Sequence, residues 1–360
     1  MAQVQGTCPD KFSSLKRVFQ EQLDSGNEVG ASIAVNIDGE EVVDIWGGYR
    51  DVDQTQPWTK DTIVNVWSSS KVVSALAVLM LIDQGKIDAF EKVSKYWPEF
   101  AKNGKENVEV RHFLSHSSGV SGWEEKVTAE EACDVPKATA MLAEQAPWWE
   151  PGTASGYHSL NMGHLLGELV RRVSGKSLKQ FIAEEIATKI DADFQLGAVE
   201  SDWGRIATLV PPPPLSIDFS SIPKDSAMFK TFTNPPMDAN VAMKDFWRKT
   251  EIGAANGHSN ALGLNRCASI VALGGSVKGQ QFLSQKTMDL IFQEQVNGTD
   301  LVIGQPLRFG IGFGLPRDGT ATEWFPKSDR MCFWGGWVSL SAMCDILLII
   351  FRVDRLSLWT

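Results

Sequence analysis

The chain has 360 residues, 43% of them hydrophobic and 22% charged, and carries a formal net charge of −10. That size allows one large domain or two intimate ones around a substantial core. An acidic chain with no long basic run does not suit nucleic acid or an anionic membrane, and no apolar run reaches the roughly 20 residues a bilayer span requires. Five scattered cysteines, Cys8, Cys133, Cys267, Cys332 and Cys344, are odd in number and have no CxxC spacing. They exclude a disulfide framework and a zinc site, imply no metal cofactor, and point to a reducing, cytoplasmic setting. The start, Met1-Ala2-Gln3-Val4-Gln5-Gly6-Thr7-Cys8, lacks the charged and apolar regions of a secretory signal.

Phe12, Leu15, Val18, Phe19 and Leu23 recur at helical spacing and predict a helix over about residues 11–23. Ala31–Ile37 and Glu41–Trp46 alternate on either side of Asp38-Gly39, a turn dipeptide, and predict a β-hairpin. Val72, Val73 and the run Ala75–Ile82 are apolar on every side and predict a buried helix stopping at Gly85. Residues 108–120 read as turn-rich, and helices follow over 161–173 and 178–186. Residues 211–236 hold seven of the sixteen prolines, four of them consecutive, which predicts a loop crossing the surface or edging a cleft. Helices resume over 260–273 and 284–293, and Trp337–Cys344 and Ile346–Val353 read as strands. Strands at both ends with helices between them most simply form one antiparallel sheet flanked by helices. Residues 1–66 and 255–360 would then make a discontinuous α/β sheet domain. Residues 67–254 would make a mostly helical region containing the 211–236 loop, with a cleft at the junction.

The chemistry starts at Ser68-Ser69-Ser70-Lys71, just ahead of the buried helix. On a helix, Ser68 and Lys71 share a face about one turn apart, setting a hydroxyl beside an amine. Ser13…Lys16 and Ser221…Lys224 have the same spacing but no comparable apolar helix behind them. A lysine is protonated at neutral pH unless burial or a neighbouring cation lowers its pKa, so the pair needs a proton relay. Only Tyr49, Tyr96 and Tyr157 could supply a phenol, and Tyr157 alone follows a Pro-Gly turn (Pro151-Gly152) that can aim it into a cleft.

Four stretches together give the chain a family resemblance: Ser68-x-x-Lys71, Leu114–Val120, Pro151-Gly152…Tyr157-His158-Ser159, and Phe333-Trp334-Gly335-Gly336-Trp337. In this order they resemble the serine beta-lactamase-related enzymes of class C type, over about residues 12–350. These include D-alanyl-D-alanine carboxypeptidases, family VIII esterases and lovastatin-type acyltransferases. Asn256–Ala261 resembles a further family segment near the site. The resemblance implies the α/β beta-lactamase/transpeptidase-like fold, with an antiparallel sheet flanked by helices. It implies Ser68 as acylated nucleophile, with Lys71 and Tyr157 sharing the acid–base work. The backbone N–H groups of Ser68 and Trp337 would form the oxyanion hole beside Gly335 and Gly336. Trp334, His158, Ser159 and His258 would line the substrate site.

Three departures from the family pattern stand out, the first two bearing on substrate. Trp334 stands where lactamases and peptidases carry Lys or His, and Tyr157-His158-Ser159 where lactamases have Tyr-x-Asn. Both favour a neutral or apolar ester over a beta-lactam or peptide. Trp337-Val338-Ser339 also lacks the family's second glycine pair, and the family's closing helix has no counterpart before Thr360. That end is either truncated or recast, leaving a sheet face open to a homo-oligomer partner. The expectation is an esterase or transesterase without cofactor. It would take a small-molecule ester, with an alcohol or thioester as second partner, in the style of fungal secondary metabolism. The alternatives are an amide hydrolase of beta-lactamase or D-aminopeptidase type, and a non-catalytic binding protein of the same fold. No HExxH or GxSxG pattern supports a histidine-based site, and His116 reads as a brace for its loop.

Overall fold

The structure, a computed structural model, describes residues 3–211, 218–336, 339–343 and 346–354. Strand β1 (Gln5–Thr7) leads into helix α1 (Ser13–Asp24) and then the hairpin β2 (Glu28–Ile37) and β3 (Glu40–Gly48). Asp38 and Gly39 at its tip have φ of 54° and 91°, the left-handed pair that a two-residue hairpin turn requires. Strands Cys332–Gly336, Ser339–Met343 and Ile346–Asp354 return from the far end of the chain. Ile346–Asp354 pairs antiparallel with β2, from Ile346 opposite Ile37 to Asp354 opposite Glu28. The six-stranded sheet therefore runs β1, β3, β2, Ile346–Asp354, Ser339–Met343, Cys332–Gly336, with the last strand at its edge.

Alternation along β2 divides the core. Ala31, Ile33 and Val35 join Phe19, Val43 and Ile45 under α1, whereas Ala34 belongs to the larger cluster on the opposite face. Helix Ala261–Ala272 covers that opposite face, and the Ser32 hydroxyl accepts its first N–H, from Ala261, at 3.1 Å. Helix α2 (Ser70–Asp83) is buried from Ser70 to Leu81. It packs against helices Asn161–Ser174, Leu178–Ile182, Ala261–Ala272 and Gln285–Phe292, so an apolar sequence on every side is what its setting demands. Each fully buried Leu or Val there contributes about 1.5–3 kcal/mol through desolvation.

Some elements differ from the sequence expectation. The Pro-rich stretch contains a helix, Ala227–Thr233, capped by Ser226, and the turn-rich stretch contains the short helix Val110–Leu114. Of the predicted strand Trp337–Cys344, Ser339–Met343 is described, and Trp337, Val338 and Cys344 lie outside the described residues. So do residues 355–360, on which the open-face expectation turned. Among the described residues no helix is long and apolar enough to cross a membrane.

Candidate active site

Ser68 lies in a 3-10 turn, Trp67–Ser69, that runs directly into α2. The turn is strained, since Trp67 has a φ of 44°, a left-handed value that costs a non-glycine residue on the order of 1–3 kcal/mol. Its neighbours hold it there. The Ser70 hydroxyl donates to the Trp67 carbonyl and accepts the Gly257 N–H at 2.9 Å. The Ser339 hydroxyl donates to the Val66 carbonyl at 2.6 Å and pairs with the Ser69 hydroxyl at 2.7 Å. The Trp67 ring packs on Trp247 with centroids 5.6 Å apart. Thus the three consecutive serines divide their work: Ser69 and Ser70 brace the turn that carries Ser68.

Lys71 is fully buried, with Nζ 3.0 Å from Ser68 Oγ, 2.9 Å from the Ser159 carbonyl and 3.0 Å from the Ala254 carbonyl. Among the described residues no carboxylate forms an ion pair with it. Burial alone drives its pKa well below the usual lysine value, because a charged ammonium here has lost its water. The three partners of Nζ could equally accept from an ammonium, so it is burial that selects the neutral form. A carbonyl can only accept, so two carbonyls take the two N–H bonds of an amine, leaving its lone pair for the Ser68 hydroxyl. Aromatic faces complete the enclosure, Tyr157 at 4.8 Å and Trp334 at 5.9 Å from Nζ.

Tyr157 Oη donates to Ser68 Oγ at 2.6 Å. Burial pushes its pKa up; the Ser68 hydrogen bond opposes that rise and the Asp300 carboxylate adds to it. The phenol therefore keeps its proton over the working pH range. Its backbone is fixed by two devices absent from any motif. Trp149 lies over Gly156 so closely that a Cβ there would be 2.4 Å from the indole ring. Asp300 is fully buried, and its Oδ1 accepts the N–H groups of Tyr157 (3.0 Å), Val302 (2.9 Å) and Ile303 (2.9 Å).

Trp334, on the edge strand Cys332–Gly336, packs beside the turn carrying Ser68. Its indole N–H donates to the Gly312 carbonyl at 2.7 Å, and the side chain is 4% exposed. It is an apolar wall behind Lys71 and Tyr157 rather than an open contact surface. Gly335 and Gly336 continue this strand, opposite Leu340 and Ser339. Trp337, the expected second oxyanion donor, lies outside the described residues.

The structure revises the roles expected for three other residues. His158 follows Tyr157 in sequence, but its ring is fully buried and bonds partners other than Ser68. Nδ1 donates to the Gly156 carbonyl at 2.6 Å, so Nε2 accepts from the Ser118 hydroxyl at 2.7 Å. Both ring nitrogens are engaged and burial holds the pKa at about 4, leaving His158 a neutral brace rather than a substrate contact. Ser159 contributes its carbonyl to Lys71, not a side chain to substrate. His258 is also fully buried, donating to the Asn256 carbonyl at 2.9 Å. Its strand, Gly257–Ser259, pairs with Val64–Asn65 just ahead of the Ser68 turn, and its imidazole bonds backbone there rather than Ser68. His116 accepts the His158 N–H on Nδ1 at 2.9 Å and stacks among Tyr157, Phe309 and Trp334. It braces its loop, as its sequence context suggested. Among the described residues no three His, Cys, Asp or Glu side chains come together as a metal site.

The fold and the sequence agree on the class of protein. The family profile described as Beta-lactamase matches residues 15–345, so the chain belongs to the beta-lactamase family. Among curated proteins it is similar to the Esterase/beta-lactamase LipL of Mycobacterium tuberculosis. That relative is 30% identical over 324 residues, 86% of this chain and 75% of the relative. Among solved structures it is similar to a family VIII carboxylesterase, at 34% identity and a TM-score of 0.90, covering 99% of this chain and 95% of that one. Simvastatin Synthase (LovD) from Aspergillus terreus shares the fold, at 17% identity and a TM-score of 0.69, covering 96% of this chain and 93% of the other. The protein is a serine hydrolase of the beta-lactamase family with esterase homologues.

Proposed function

We propose that the chain is a carboxylic ester hydrolase that works through an acyl-enzyme on Ser68 and takes esters of small, largely apolar molecules. The observation that carries this reading is the convergence on Ser68 Oγ of a buried Lys71 amine at 3.0 Å and a protonated Tyr157 phenol at 2.6 Å. In the first half-reaction Ser68 passes its proton to Lys71 while Oγ attacks the ester carbonyl, whose oxygen takes the electron pair. The Ser68 N–H and the Trp337 N–H are the proposed donors to that oxygen. Collapse breaks the bond to the leaving alcohol, which receives the Tyr157 proton. In the second half, the phenolate takes a proton from water as the hydroxide adds to the acyl carbon. Ser68 then departs with the proton held on Lys71. Both groups end as they began.

An alcohol in place of that water makes the same site a transesterase, and either activity would serve secondary metabolism. The esterase branch is the better supported, because the carboxylesterase is 34% identical and LovD only 17%. Apolar surface near the site fits such a substrate. Leu301, whose N–H bonds the Ser155 carbonyl at 2.8 Å, is 40% exposed. A Cβ on Gly304 in the same loop would meet Met228 Cε at 2.9 Å. Trp334 supplies no cation for a substrate carboxylate. We place the enzyme in the cytoplasm, in keeping with the thiols of Cys8, Cys133 and Cys267. Amide hydrolysis is the second reading, since the curated relative carries both activities in its name. Turnover of p-nitrophenyl butyrate should exceed that of nitrocefin by at least about a hundredfold in kcat/KM, with both lost in Ser68→Ala. Comparable turnover of the two would refute the ester reading.

A further inference from the structure

We infer that Asp300 is a positioning residue for the reaction, holding Tyr157 so that its phenol can protonate the leaving alcohol. This rests on the role proposed above for Tyr157. A fully buried carboxylate is costly unless its oxygens are bonded, and Asp300 spends one oxygen on three backbone N–H groups, including that of Tyr157 itself. Its other oxygen, Oδ2, is buried with no partner among the described residues. No ion pair neutralises it among those residues either. A turn that only needed folding would be served by Asn or Ser, without the burden of a buried charge.

The bonds show what the charge does. Asp300 N donates to the Gln305 carbonyl at 3.0 Å and Gly304 N to the Asp300 carbonyl at 2.9 Å, closing the loop on itself. Leu301 N donates to the Ser155 carbonyl at 2.8 Å, so two bonds, one on either side of Gly156, lace this loop to the Tyr157 turn. Bonds to a charged acceptor are about twice as strong as neutral ones. Pinned at its own N–H, Tyr157 has little freedom to swing off Ser68 Oγ. Displacements near 1 Å are enough to cost about a hundredfold in rate.

The test is the leaving-group dependence of Asp300→Ala, Asp300→Asn and Tyr157→Phe. A phenol that donates a proton matters for an ethyl ester, whose alkoxide is strongly basic, and little for a p-nitrophenyl ester, whose phenolate leaves unaided. The ratio of the two kcat/KM values cancels any inactive fraction. Asp300→Ala should lower the ethyl ester more than the p-nitrophenyl ester by at least about tenfold, and Asp300→Asn, which keeps the acceptor oxygen, by less. Combined with Tyr157→Phe, neither substitution should lower the ratio further. If Tyr157→Phe shifts the ratio but whichever Asp300 variant folds does not, Asp300 has no such role. If Tyr157→Phe itself leaves the ratio unchanged, the reading of Tyr157 falls first, and the inference with it.

Discussion

Gly163 offers a remote way to disturb the site. It lies in helix Asn161–Ser174, and a Cβ there would sit 2.5 Å from both Ala254 N and Gly253 N. Ordinary contacts of this kind lie near 3.5 Å, so in Gly163→Ala the 253–254 backbone must retreat by about 1 Å. That backbone is the back of the site: the Ala254 carbonyl accepts from Lys71 at 3.0 Å and the Gly253 carbonyl from Ser74 at 2.6 Å. A 1 Å retreat breaks the first bond and frees the Lys71 amine from its orientation. Overpacking of this type costs about 1–3 kcal/mol. With an unfolding entropy of about 2.1 cal/mol/K per residue, the melting midpoint should fall by about 1–4 °C. The loss in kcat should be far larger, about a hundredfold. Gly167, one turn further on, is the control, because a Cβ there meets only Leu178 at 3.7 Å. Gly167→Ala should keep wild-type kcat and gain up to about 1 kcal/mol from helix propensity. Calorimetry and ester turnover on both variants decide the matter. Wild-type kcat in Gly163→Ala, or equal losses in the two, would refute the reasoning.

The active form carries Lys71 as an amine, so kcat/KM should fall about tenfold per pH unit below its lowered pKa. Trp334→Ala removes an apolar wall 5.9 Å from Nζ, lets water favour the ammonium, and should move that acid limb to higher pH; an unmoved limb would show that Trp334 does not set the amine. His258 has a folded pKa of about 4 against an ordinary 6.5, so the unfolded chain binds its proton first. Stability is then full above pH 6.5 and is lost as pH falls toward 4, by roughly 3 kcal/mol for this residue. His258→Gln should shrink the difference in urea-unfolding free energy between pH 7.5 and 4.5 by that order, and an unchanged difference would contradict the burial argument.

The elements with strong local signals were legible from sequence. Asp38-Gly39 marked the hairpin, the all-apolar run marked α2, and the 161–173 periodicity marked helix Asn161–Ser174, which ends at Gly175 with a φ of 76°. Ser68, Lys71 and Tyr157 were legible as a set because each sits at a nameable local device, and the structure brings Lys71 Nζ and Tyr157 Oη within 3.0 Å of Ser68 Oγ. Long-range contacts were not legible. Nothing near Asp300 in sequence announces that its carboxylate will seize the N–H of a residue 143 positions away. Nor does Ser339 advertise that its hydroxyl supports Val66. His158 was misplaced by adjacency, because nothing in the sequence shows that its ring turns to Gly156 and Ser118 while the Tyr157 phenol reaches Ser68. The helix Ala227–Thr233 was hidden because prolines at both ends of the stretch outweighed a helical signal only seven residues long.

The central claim is that Ser68 carries the acyl group, and intact-protein mass spectrometry of the enzyme acid-quenched during turnover of a p-nitrophenyl ester tests it directly. The account predicts a mass increment equal to the acyl group, mapped by peptide digestion to Ser68 and absent from Ser68→Ala. Ester turnover that persists in Ser68→Ala, or an acyl group mapped to another residue, would contradict it.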